Sequence, residues 1–112
     1  MHSPELLKGT LQTIILKLLS DNGKMYGYEI TQKVKELSNG MLALTEGALY
    51  PTLHKLEAEG FLSTEKLSMG KRVRKYYLLT PSGASSAAQK IEDFEAFIMT
   101  MFKVLQINPQ LG

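Results

Sequence analysis

The sequence predicts a mainly α-helical fold with one small β-hairpin, and three observations carry that reading. Apolar residues recur at helical spacing in four separate stretches, and the period switches to two only between about residues 61 and 80. Asn22-Gly23, Asn39-Gly40 and Gly60 close the first three helical stretches. At 112 residues the chain has the length of one domain.

The first stretch opens on Ser3 as N-cap, Pro4 at the first helical position and Glu5 for the helix dipole. Leu7, Leu11, Ile14, Ile15, Leu18 and Leu19 then form one apolar stripe. A single helix of about four to five turns is expected, ending at Asn22-Gly23. A second helix is expected from Gly27 to Ser38, with Ile30, Val34 and Leu37 inward and Glu29, Lys33, Lys35 and Glu36 outward. Met41 to Leu44 is a short apolar run, readable as an extended connector that pairs with a later strand.

The third helix starts at Thr45, an N-cap residue, and runs to Glu59. Leu49, Leu53 and Leu56 fall within about 60° of one another and define its buried stripe. Gly47, Tyr50, Pro51, His54 and Ala58 face away from that stripe, flanked by Ala48 and Lys55. Pro51 removes one intrahelical hydrogen bond, the one to the Gly47 carbonyl.

Phe61–Leu67 and Arg72–Thr80 read as strands joined by a turn around Ser68-Met69-Gly70. Tyr77 and Leu79 are expected to pack on the helices, while Lys71, Arg72, Arg74 and Lys75 project into solvent. Thr80-Pro81 starts the last helix, in which Gly83 is a weak point. Ala84, Ala87, Ile91, Phe94, Ile98, Met101 and Leu105 then recur at alternating steps of three and four, an unbroken a/d seam over three heptads. Phe97, Phe102 and Val104 widen it, and Asn108-Pro109 ends it.

Composition removes several function classes. Hydrophobic residues make up 44% and charged residues 21%, the balance of a folded chain. Absence of cysteine excludes disulfides, thiolate metal sites and cysteine nucleophiles, and suits a reducing compartment. The longest apolar stretch, Leu11 to Leu19, is broken by Gln12, Thr13 and Lys17, short of the roughly 20 residues a bilayer needs. No basic segment followed by an apolar run opens the chain, so a cytoplasmic protein is expected. An enzyme is not expected. The only histidines are His2 and His54, and Glu92, Asp93 and Glu95 read as the solvated face of the last helix. No glycine-rich phosphate loop follows a strand, and no metal or cofactor is expected.

Charge placement is more informative than the net of +2. Five basic residues and no acid lie between Lys66 and Lys75: Lys66, Lys71, Arg72, Arg74 and Lys75. Without them eight basic residues face eleven acidic ones, so the remainder carries −3. A cationic hairpin directly after a groove-sized helix is suited to phosphate contact. Helix, helix, helix and basic hairpin is the outline of a winged helix-turn-helix, spanning residues 1–80 here, in which the third helix enters the major groove. Thr45, Gly47 and Ala48 are small enough for close approach, and Tyr50, His54 and Lys55 can reach base edges or phosphates. The alternative from a different class is a winged-helix module for protein–protein or RNA contact, without specific DNA readout.

The chain resembles the PadR-like transcriptional regulators. The resemblance rests on Tyr26-Gly27-Tyr28-Glu29-Ile30, on the run from Thr45-Glu46-Gly47-Ala48-Leu49-Tyr50-Pro51 to Glu59-Gly60, on Arg74-Lys75-Tyr76-Tyr77-Leu78-Leu79-Thr80, and on Gly83. It covers roughly residues 6 to 105. It implies a dimeric, DNA-binding repressor that controls its own or a neighbouring operon. It also implies that Tyr26, Tyr50 and the wing tip Gly70, Lys71 and Arg72 lie at or near DNA. One departure is Val73, where many members have proline.

With a single helix after the wing, the chain resembles the short class of the family. Residues 81–106 are then the dimerisation helix, with Ala84, Ala87, Ile91, Phe94, Ile98, Met101 and Leu105 at the interface, and residues 107–112 form a tail. A homodimer implies a pseudo-palindromic double-stranded operator. Some family members bind aromatic compounds at the dimer interface; here Phe94, Phe97 and Met101 are the candidate lining for a small aromatic effector.

Overall fold

Gly9 and Thr10 interrupt the first apolar stripe. In the computed structural model, which describes residues 4–108, α1 (Pro4–Lys8) stops there and α2 (Leu11–Asn22) starts afresh. The single helix expected is therefore two, and the cap expected at Ser3 lies outside the described residues. Glycine inside a helix costs about 1 kcal/mol relative to alanine. Thr10 adds a competing bond, its N–H and its hydroxyl both donating to the Leu7 carbonyl at 3.0 Å. Helix α2 buries Leu11, Ile15, Leu16, Leu18 and Leu19, and Gly23 closes it at φ 78°.

Strand β1 (Met25–Tyr26) leads directly into α3 (Gly27–Leu37), and α4 (Glu46–Ala58) follows a loop. Strands β2 (Leu62–Met69) and β3 (Arg72–Leu79) form the wing, and α5 (Pro81–Leu105) ends the fold. The sheet has three strands in the order β1-β3-β2, all antiparallel. Its third strand is Met25–Tyr26, paired as Met25↔Tyr77 and Tyr26↔Tyr76, and not the Met41–Leu44 run. That run belongs to the α3–α4 loop, where the Leu42 N–H donates to Ser38 Oγ at 2.9 Å and Leu44 is buried.

Leu49, Leu53 and Leu56 are fully buried, as their spacing predicts, against Ile15, Leu16 and Ile30. Tyr77 closes the core from the sheet at 2% exposure, and Leu79 packs beside it. Leu37, expected inward, is 65% exposed at the last residue of α3.

Thr80 joins wing to α5. Its hydroxyl accepts from the Gly83 N–H at 3.0 Å and donates to the Gly60 carbonyl at 2.6 Å, tying the α5 N-terminus to the end of α4. Gly83 is a close-packing point and not merely a weak one. A β-carbon there would collide with the backbone carbonyl of Phe61, which cannot give way. Gly83→Ala is expected to cost about 1–3 kcal/mol through overpacking, read as a lower urea midpoint at unchanged slope. An unaltered midpoint would show that α5 can slide away from Phe61.

Helix α5 packs against α2; its buried residues are Gly83 and Ala87, and burial is only partial further along. The molecule measures 54 × 29 × 24 Å with a radius of gyration of 15.4 Å, against about 13 Å for a compact domain of this size.

Candidate nucleic-acid interface

Helix α4 presents the surface expected to enter a groove. Thr45 caps it, its side chain accepting from the Ala48 N–H at 3.2 Å, and the helix continues through Pro51. Thr45, Gly47, His54 and Lys55 are exposed. Ala48 and Tyr50 are half-buried and packed against the core, so neither points freely outward. For Tyr50 the reason is Gly27. The ring lies over the first residue of α3 so closely that a β-carbon at Gly27 would overlap the Tyr50 hydroxyl. Tyr50 therefore spaces α3 from α4, with the His54 ring 6.3 Å away at a 41° tilt.

The wing turns more tightly than expected. The ladder runs to Met69↔Arg72, leaving Gly70 and Lys71 as a two-residue loop. Gly70 has φ 66° while Lys71 has no positive φ, the pattern of a II′ turn, which needs glycine first. Lys66, Lys71, Arg72 and Arg74 are exposed, as is Val73. Lys66, Lys71 and Arg72 have no ion-pair or ring partner among the described residues. Lys75 is different: its Nζ lies 4.0 Å from Glu57 on α4 and 5.3 Å from the Tyr77 ring centre. The pair lies where the middle of β3 passes α4.

Tyr26 sits on the outer side of this sheet. It meets Tyr76 edge-on at 5.4 Å, and the Arg74 guanidinium lies 4.3 Å from its ring centre. A hydrogen bond with Tyr76 raises the Arg74 pKa above its ordinary value, opposed by desolvation and helped by Tyr26, Tyr76 and Glu29. Lys24 completes the cluster, 3.1 Å from Glu65 and 5.6 Å from the Tyr76 ring. The sequence reading missed Lys24 and Tyr76 because β1 is too short to show a period of two.

The seam on α5 is divided. Ala87 is 1% exposed within its own domain and cannot also meet a partner. Ile91, Phe94, Ile98 and Met101 are half-buried, whereas Ala84 and Leu105 are exposed. Phe97, Met99, Val104 and Ile107 extend the exposed apolar surface at the far end. An apolar groove of about 270 Å³ lies elsewhere, between α2, α3 and Leu42. Phe94, Phe97 and Met101 do not line it. Among the described residues, no helix is long and apolar enough to cross a membrane.

A helical pair, a groove-facing third helix and a cationic wing define the winged helix-turn-helix class. The sequence pattern of the transcriptional regulator PadR-like family matches residues 15–89. The chain belongs to that family. It is 35% identical over 85 residues to the transcriptional regulator Rv3488 of Mycobacterium tuberculosis, spanning 76% of each chain. A transcriptional regulator from Clostridium thermocellum superimposes with a TM-score of 0.81 at 30% identity, covering 92% of this chain and 97% of the other. Bacillus subtilis PadR in complex with operator DNA superimposes with a TM-score of 0.66 at 32% identity, over 73% of this chain and 45% of that one.

Proposed function

We propose that this regulator is a dimeric repressor that binds a pseudo-palindromic operator before its own gene or a neighbouring operon. The observation that carries this reading is the wing. Lys66, Lys71 and Arg72, with no ion-pair partner among the described residues, sit on a hairpin whose middle meets α4 through Lys75 and Glu57 at 4.0 Å. In this reading α4 lies in the major groove, with Thr45, Gly47, His54 and Lys55 toward base edges and phosphates and the outer edge of Tyr50 beside them. The wing grips the adjacent backbone. The operator complex of Bacillus subtilis PadR supports DNA as the partner. The reading includes no catalytic step, and the place of action is the cytoplasm.

The α5 seam supports the dimer. Phe97, Met99, Val104, Leu105 and Ile107, each at least half exposed, are an apolar surface that a monomer rarely shows to water. Two-fold symmetry then sets half-sites about one helical turn apart, roughly 34–36 Å. Phe94, Phe97 and Met101 on that helix would line a site for a small aromatic effector between protomers.

The test is a gel shift with the chain's own upstream promoter region. A discrete complex that specific competitor removes and random competitor does not is the expected result. Absent or salt-insensitive binding would sink the repressor reading. It would favour a winged-helix module for protein or RNA contact.

A further inference from the structure

We propose that Tyr26 is a positioning residue whose ring holds the Arg74 guanidinium ready for a DNA phosphate, its own hydroxyl making no contact that binding requires. The inference rests on the DNA-binding reading above and concerns how one wing cation is prepared for it.

Strand β1 brings Tyr26 opposite Tyr76 on β3, and Arg74 lies two residues along the same strand, on the same face. Its guanidinium is 4.3 Å from the Tyr26 ring centre, well within cation–π range. The ring is itself anchored. The Tyr26 N–H donates to the Glu29 carboxylate at 3.1 Å, in the first turn of α3, and the ring meets Tyr76 at 80°. Arg74 is thus braced against α3 although its side chain is exposed. Lys71 and Arg72, at the tip, are exposed with no such partner among the described residues.

That difference has a physical consequence. A free arginine gives up many rotamers when it grips a phosphate, whereas a stacked one has given them up already. The ring takes one side of the guanidinium and Tyr76 takes one hydrogen bond, which leaves others of its five N–H donors for a phosphate. A direct Tyr26 hydroxyl contact with DNA is the competing role, and the two separate cleanly by mutation.

The experiment uses the full chain and its promoter fragment, with affinity measured from 50 to 300 mM salt. Tyr26→Phe keeps the ring and is expected to bind as the unaltered protein does. Tyr26→Leu and Arg74→Lys should each weaken binding roughly two- to fivefold, with the salt slope unchanged because the cation remains. In an Arg74→Ala background, Tyr26→Leu should add nothing. Weakening by Tyr26→Phe equal to that by Tyr26→Leu would overturn the proposal. So would an undiminished Tyr26→Leu effect in the Arg74→Ala background, or Arg74→Lys at full affinity. Arg74 is exposed, so Arg74→Lys tests the stack even if Tyr26→Leu fails to fold. No binding of the unaltered protein to any duplex would instead remove the DNA-binding reading itself, and this proposal with it.

Discussion

Alanine at Arg72 and Arg74 together is expected to weaken binding to every DNA sequence alike, on the order of a hundredfold near 0.1 M salt. Both side chains are exposed on β3, and among the described residues no carboxylate lies within 4.0 Å of either. Each cation that neutralises a phosphate releases about 0.9 of a counterion, so its loss lowers the salt slope by about one. A dimer loses the pair twice, and the slope should fall by about four. Lys75→Ala is the internal contrast. Its ammonium lies 4.0 Å from Glu57, and its removal takes one positive charge per protomer where the double variant takes two. Its loss should cost less than half as much, because the side chain is half-buried and faces α4. Competition by specific and random duplexes across a salt series checks all three points. Unchanged affinity of the Arg72, Arg74 variant would mean that the wing does not touch DNA.

Much of this arrangement is legible in the sequence because local signals and global packing agree. Leu49, Leu53 and Leu56 form one stripe and all three are fully buried, and Thr45 and Thr80 cap the helices they precede. The five wing cations are visible as a run without an acid. What is not legible depends on contacts between distant residues. Met25 and Tyr26 are two residues of strand, defined only by their partners Tyr77 and Tyr76, and no periodicity can mark so short an element. The Met41–Leu44 run has the composition of a strand, yet Ser38 binds the Leu42 N–H and no sheet edge receives it. Gly83 and Gly27 look like weak helical positions from propensity alone. The Phe61 carbonyl leaves no room for a side chain at Gly83, and a β-carbon at Gly27 would displace the Tyr50 ring. Tyr50 shows the limit of a helical wheel, since its angle places it outward while α3 arrives to cover it.

Ile98→Glu is expected to convert the dimer to monomers and to lower operator affinity by at least about a hundredfold. The heptad reading treats the whole of α5 as interface, but the structure divides it. The first turns belong to the protomer through Gly83 and Ala87, both buried, so the proposed dimer would form further along. Ile98 is half-buried in the middle of the remaining seam, between half-buried Phe94 and Met101. Symmetry places two copies of the substitution at one interface, where paired carboxylates lose water and repel each other. The monomer can turn the same carboxylate to solvent, so helix content should persist. Operator affinity falls because a dimer presents its second reading head at an effective concentration of order millimolar, and separate monomers do not. Light scattering after size exclusion, with circular dichroism on the same sample, reads the two outcomes apart. A dimer that survives Ile98→Glu would move the interface off the middle of α5, and the half-site spacing inferred from it would have to be derived again from whichever surface replaces it.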